Sequence, residues 1–432
     1  MSTRSRIIKN ASWIIVCRVV QAFFNLFISM VTARFLGPSN FGIINYAESI
    51  VAFVIPIMKL GFTNIIVHEM INDKEREGEI LGTTLISCFS AGCLCMLAVG
   101  AFVGVVNVGE HETIFVCILY SFMLITEAFE MFLYWFEAHL LSKYTSVVSL
   151  IVYLTVSAYK IFLLATHKSI YWFAVSNALD YLLIGILLFI LYKKLGGHAI
   201  SFSMNRFKKM FASSKYYILS GMMIAVFSQT DRVMLKLMIG NEVTGFYSAA
   251  VRCAGITGFI FTAIINSTVP VIYESRKISI ERFNNNIKNL YSIILYIAFS
   301  QSIVISIFSK IIIYILYGEA YMNAAPALSI ITWYIAFSYM GVIRNRWLLA
   351  EGKQHLIWRI DLSGAFANVI LNFILIPKFG IIGAAIASLV TQFFTNFIMG
   401  WIIKDIRPNN YLLIESLNPK VLINLLKKII NK

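Results

Sequence analysis

Twelve stretches, near 11–33, 43–69, 80–106, 113–136, 145–166, 170–192, 215–238, 244–273, 290–316, 324–350, 354–377 and 380–404, read as largely apolar runs bounded by polar punctuation. About twenty apolar residues cross a bilayer as a helix, and lipid offers an open backbone no hydrogen-bond partner. The runs therefore specify an all-α polytopic membrane protein with twelve transmembrane helices. At 432 residues, 59% hydrophobic and 13% charged, the chain has little left for loops. That excludes a large extramembrane catalytic domain, a disulfide scaffold and a nucleic-acid-binding module, although the net charge of +15 is what nucleic-acid binders show.

Topology accounts for the positive charge. With the N-terminus in the cytoplasm, 23 basic residues fall in inside loops and tails, against Arg34, Lys168 and Lys378 outside. Such a split expects both termini to be cytoplasmic. The Trp13-to-Ile28 stretch runs on past the length of a removable signal, so the first helix is expected to be retained. The cysteines Cys17, Cys88, Cys93, Cys95, Cys117 and Cys253 lie in apolar runs without CxxC spacing, which reads as packing. No metal site and no cofactor is expected.

The polar stretch between Lys193 and Lys215 divides the runs six and six. Across it the chain repeats itself at an offset of 203: Leu36-Gly37, Gly42 and Ala47 match Ile239-Gly240, Gly245 and Ala250. The expected organisation is an N-terminal six-helix lobe (1–192), a cytoplasmic linker (193–214), a C-terminal six-helix lobe (215–404) and an amphipathic tail (405–432). In the tail, Lys420, Asn424, Lys427 and Lys428 fall opposite Leu422, Leu425, Leu426 and Ile429, as in a helix lying on an anionic leaflet. Two equivalent bundles around a central cavity are what alternating access requires.

Charges inside apolar runs must face water, each other or a ligand. Ten basic residues do so: Arg18, Lys59, Lys160, Arg232, Lys236, Arg252, Lys310, Arg344, Arg346 and Arg359. Lys236, Lys310 and Arg359 are near enough to run ends to snorkel. The acids are Glu127, Glu130, Asp180, Asp231 and Asp361. The excess of cations suits an anionic ligand. Helical spacing aligns Arg18, Gln21, Asn25 and Ser29 on one stripe, Ser228, Gln229, Arg232 and Lys236 on a second, and Asp361, Gly364, Asn368 and Asn372 on a third. Interhelical hydrogen bonds explain isolated polar residues, but stripes that include arginine favour cavity lining.

Four segments then carry a family resemblance. Ala33-Arg34-Phe35-Leu36-Gly37-Pro38-Ser39-Asn40-Phe41-Gly42 resembles the ARxLGPxxYG signature of bacterial oligosaccharide flippases, the polysaccharide-biosynthesis transporters of the multidrug/oligosaccharidyl-lipid/polysaccharide superfamily. Trp135-Phe136-Glu137 with Lys143-Tyr144 is similar to its WxFQGxEKxKY region, with Glu137 for the usual Gln. The segments Gln229 to Ala250 and Asn368 to Ala385 resemble its TDxxxLG...GxYSAA and NxxLNxxLIPxxGxxGAA stretches. The resemblance implies a non-enzymatic transporter of an oligosaccharide joined through pyrophosphate to undecaprenyl, moved across a bacterial cytoplasmic membrane. A glycan polymerase and chain-length machinery are candidate partners besides membrane lipids. The substrate-binding candidates are Arg18, Gln21, Asn25, Lys59, Lys160, Arg232, Arg252, Arg344 and Arg346, and the ion-coupling candidates are Glu127, Glu130, Asp180 and Asp231. Glu130 lies at a depth similar to Arg18, which would either hold it ionised until substrate competed for that arginine or form a static ion pair with it. The alternatives are a cation-coupled multidrug exporter, whose cavity should be acidic, and a membrane glycan polymerase, which needs larger outside loops.

Overall fold

The computed structural model describes the backbone of residues 3–430 and the side chains of 20, 21, 24–425 and 427. No strand occurs among the described residues. The helices are α1 (Thr3–Met58), α2 (Ile66–Asn72), α3 (Glu77–Val106), α4 (His111–Ser121), α5 (Met123–Thr126), α6 (Met131–Ala138), α7 (Ser142–Ala165), α8 (Ile170–Lys194) and α9 (Met204–Met238). They continue as α10 (Asn241–Ala254), α11 (Gly258–Ile278), α12 (Ile280–Tyr317), α13 (Ala325–Ala350), α14 (Ile357–Phe393), α15 (Met399–Ile402), α16 (Arg407–Ser416) and α17 (Pro419–Ile430).

Ten stretches among the described residues are long and apolar enough to cross a membrane, so the chain is a multi-pass membrane protein. Two of the ten are bent at a glycine, α1 at Gly37 and α14 at Gly380, giving each two arms. Ten stretches with two extra arms are compatible with twelve passes. The bends are backbone events: Gly37 has φ 73° and ψ 171°, a region that only glycine enters without strain, and Pro38 begins the next arm. Gly240, the partner of Gly37 at the offset of 203, has φ 138° and ψ −177°. The internal repeat is thus a repeat of conformation as well as of residue type.

Several boundaries differ from expectation. The second apolar run stops at Met58 rather than near 69, because Leu60 and Gly61 turn left-handed and Gly61 lies against the Ser214 carbonyl, where a Cβ would come within 2.3 Å. Of the stretch 193–214, only 195–203 is non-helical. Helix α9 starts at Met204, where Ser203 Oγ accepts the Arg206 amide hydrogen at 3.3 Å, a side-chain cap that loop-like composition hid.

The chain forms two compact units, Met1–Gln229 and Thr230–Lys432. In the first, α1 packs on α3, α4 and α7, and α8 packs on α4, α5 and α7. In the second, α13 packs on α10, α12 and α14, while α16 docks on α12 through Asn409, whose Oδ1 accepts from Tyr291 Oη at 2.9 Å. Helix α17 continues over α12, with Lys420 and Lys427 exposed and Val421, Leu422 and Leu425 half-buried.

Candidate functional site

Each unit carries a charged cluster where apolar packing would be expected. In the first unit, a short 3-10 segment, Glu127–Glu130, interrupts the fourth apolar run between α5 and α6. Its three-residue period eclipses the two glutamates on one face. Lys59, just beyond α1, meets both: Nζ lies 2.8 Å from Glu127 Oε1 and 2.7 Å from Glu130 Oε2. Glu127 is 2% exposed, and its Oε2 has no hydrogen-bond partner. One lysine therefore serves two carboxylates and leaves a net negative charge. Glu130 thus pairs with Lys59; the expected Arg18 partner has its side chain outside the described residues. Nearby, Lys160 Nζ donates to Asn177 Oδ1 at 3.3 Å, and Asp180 Oδ1 is buried without a partner.

In the second unit, Asp231 on α9 is 7% exposed and collects three donors. Tyr247 Oη on α10 donates to Oδ2 at 2.5 Å, Asn372 Nδ2 on α14 donates to Oδ1 at 2.6 Å, and Ser388 Oγ beyond the Gly380 bend also donates to Oδ2. Asn372 Nδ2 contacts Asn368 Oδ1 at 3.0 Å as well, while Asn372 Oδ1 is buried and unpaired. The neighbouring Arg232 is 8% exposed. Lys236, expected to snorkel, is instead 4% exposed, its charge turned into the fold rather than out to water. Lys310 and Arg359 are exposed, in keeping with snorkelling.

The remaining candidates separate by how their donors are used. Arg344 is buried: Nη1 donates to the Thr395 carbonyl at 2.7 Å and to Asn396 Oδ1 at 3.0 Å, and Nη2 to Asn345 Oδ1 at 3.1 Å. Thr395 and Asn396 belong to a π-helical turn, Phe394–Ile398, whose wider winding frees carbonyls for such a partner. Arg346, two residues on, is half-buried with no hydrogen bond or ion pair among the described residues. Arg252 and Gln21 are half-buried and Asn25 is exposed. Tyr247 and Ser388 were not legible as site residues, since a tyrosine and a serine in apolar helices carry no signal until Asp231 is placed beside them.

A sequence model of the polysaccharide biosynthesis protein family matches residues 7–276, more than half of the chain. The chain belongs to that family. Capsular polysaccharide biosynthesis protein CapF of Staphylococcus aureus is 22% identical over 396 residues, covering 89% of this chain and 96% of that protein. A putative O-antigen transporter of Shigella flexneri is 22% identical over 416 residues, 92% of this chain and 97% of that one. An uncharacterised membrane protein of Methanocaldococcus jannaschii is 25% identical over 258 residues, and there the match spans about half of that protein, 51%. Among solved structures, the lipid II flippase MurJ in an inward closed conformation superposes with a TM-score of 0.68 at 15% identity, covering 95% of this chain and 92% of that one. This likeness establishes the fold alone.

Proposed function

We propose that the protein flips an undecaprenyl-pyrophosphate-linked oligosaccharide from the cytoplasmic to the outer leaflet of a bacterial cytoplasmic membrane, by alternating access coupled to an ion gradient. The substrate side of the reading is supported by Arg346, a half-buried cation with no hydrogen bond or ion pair among the described residues, and by the placement of Arg232 and Arg252, buried and half-buried, within apolar helices. An arginine presents a planar fork suited to pyrophosphate oxygens. The ion side is carried by one observation, the buried unpaired Oδ1 of Asn372 beside the Asp231 carboxylate. Oxygen ligands gathered around a carboxylate are what a hard cation requires.

Cells lacking the protein should accumulate lipid-linked repeat units on the cytoplasmic leaflet. In such cells, Arg232→Ala and Arg252→Ala should restore at least about tenfold less surface glycan than wild type at equal abundance, a factor worth about 1.4 kcal/mol of ligand stabilisation. Full restoration by both variants would refute the assignment of these arginines.

Both termini and the 195–203 connection belong to the cytoplasmic side in this reading, with α17 resting its lysines on the anionic leaflet. A single cysteine at Phe202, which is 44% exposed, should resist an impermeant reagent in intact cells and react after permeabilisation. Labelling in intact cells would reverse the orientation.

A further inference from the structure

The connection between α8 and α9 is strapped to α3 by a cluster that the flippase reading leaves unused. Glu77 opens α3 and is 3% exposed. Its Oε1 accepts from Trp135 Nε1 at 2.9 Å and lies 2.9 Å from His198 Nδ1. Its Oε2 lies 3.2 Å from His139 Nε2. His198 belongs to the strap itself, whose backbone is seated without clearance: a Cβ on Gly78 would stand 2.3 Å from the Ala199 carbonyl, and one on Gly82 2.3 Å from that of Ser201. Tyr192 Oη donates to the His198 carbonyl at 2.6 Å, and the Ser203 amide donates to Thr83 Oγ1 at 3.1 Å.

The decisive residue is His139. Its Nδ1 lies 2.9 Å from the Trp135 carbonyl oxygen, while its Nε2 faces the Glu77 carboxylate. Both neighbours are acceptors, and a neutral imidazole has only one N–H to offer. The arrangement is satisfied when both ring nitrogens carry hydrogen, that is, when His139 is an imidazolium. A neutral ring would set a bare nitrogen against a carboxylate oxygen.

We propose that this cluster is a proton-operated latch: charged His139 holds Glu77, Glu77 holds His198, and His198 keeps residues 195–203 on α3. Imidazole is the side chain that ordinarily changes charge between about pH 5 and 8. The His139 and His198 side chains are 36% and 56% exposed, so the proton comes from bulk water. The other titratable or charged groups near the cluster on the elements packed here are Glu79 on α3 and Arg76 just before it, His68 and Glu69 on α2, Tyr134 and Glu137 on α6, Lys143 and Tyr144 on α7, Tyr192, Lys193 and Lys194 on α8, and Arg206 and Lys209 on α9. Arg206 is already committed to Asp73 at 2.6 Å and Glu79 at 3.5 Å, and Lys209 stands 3.9 Å from Glu69. The Arg206 hydrogen bond holds the Asp73 carboxyl below the usual carboxylate range, so this second strap stays ionised at neutral and mildly acidic pH. The latch is closed at the acid end of the imidazole range and loosens as pH rises. Identifying the water it samples as cytoplasmic rests on the orientation proposed above; the latch itself does not.

Hydrogen–deuterium exchange of peptides covering 195–203, in the full-length protein in lipid nanodiscs and normalised to intrinsic rates, tests this. Protection should be at least about tenfold greater at about pH 5.5 than at about pH 8.5. His139→Gln keeps an amide donor for Glu77 but cannot titrate, so its pH step should be smaller than that of the wild type, and His139→Gln combined with His198→Asn should show none. Glu77→Ala should lose protection at both, and the His139→Gln comparison stands even if that variant fails to fold. Equal protection of the wild type at the two pH values, or an undiminished pH step in His139→Gln, would overturn the latch. Neither readout involves transport, so failure of the flippase reading would leave this result intact.

Discussion

Lys59→Met is expected to deplete the membrane of this protein. The substitution removes the single cation between Glu127 and Glu130, whose carboxylate oxygens lie 2.8 and 2.7 Å from Nζ, and Glu127 is 2% exposed. Breaking a buried pair by deleting one partner costs about 3–5 kcal/mol, a large share of the roughly 5–15 kcal/mol that holds a folded protein together. Protonation of the stranded carboxylates offsets part of that cost. The triple variant Lys59→Met, Glu127→Gln, Glu130→Gln removes all three charges and should recover most of the abundance. Glu127→Gln alone should be mild, because it subtracts the carboxylate that one lysine cannot fully compensate and leaves the Lys59–Glu130 pair in place. Abundance in membranes and the thermal unfolding midpoint in detergent measure these effects. A Lys59→Met protein as stable as wild type would show that the cluster is solvated and carries little of the fold. A stable triple variant without transport would assign the same charges to function.

Asp231→Leu should be comparably severe, for a different reason. No counter-charge is stranded; instead, the donors of Tyr247, Asn372 and Ser388 lose their common acceptor inside the second unit. Each buried donor left unsatisfied costs about 1–3 kcal/mol, and the three share one acceptor, so their costs do not simply add. Removing a donor at the periphery, as in Ser388→Ala, should cost only about 1 kcal/mol, since the carboxylate keeps two partners. Adding Tyr247→Phe and Ser388→Ala to Asp231→Leu should recover stability, because deleting both members of a hydrogen bond is far cheaper than deleting one. Unfolding midpoints of the four proteins decide this. If Asp231→Leu alone unfolds like wild type, the three contacts are not what joins α9, α10 and the two arms of α14. Asp231→Asn, which keeps the shape, then tests the ion: gradient-driven transport should fall while substrate binding persists.

The architecture was written in local pattern. Apolar runs long enough to cross lipid leave the backbone no choice but helix, so the all-α membrane fold followed from composition and spacing. The glycines at 37 and 240 could be read as equivalent turns, because a positive φ is a property of one residue and needs no distant partner. Even the polar stripe containing Asn368 and Asn372 was visible, since helical periodicity alone puts them on one face.

Pairing was not legible, and tertiary structure decided it. Lys59 finds Glu130 from 71 residues away, Asn372 finds Asp231 from 141, and Arg206 finds Asp73 from 133. Depth set Glu130 near Arg18, and Arg206 and Glu77 lie outside the apolar runs, yet the latter two became buried members of clusters. The reason is physical. In lipid an apolar face gains little by choosing one apolar neighbour over another, so helix order and rotation are set by close backbone approaches and by buried polar groups meeting their partners. Gly78 and Gly82 against the 195–203 strap are such approaches. A linear chain records that a charge is buried at a given depth, but which opposite charge satisfies it emerges only when the helices are packed.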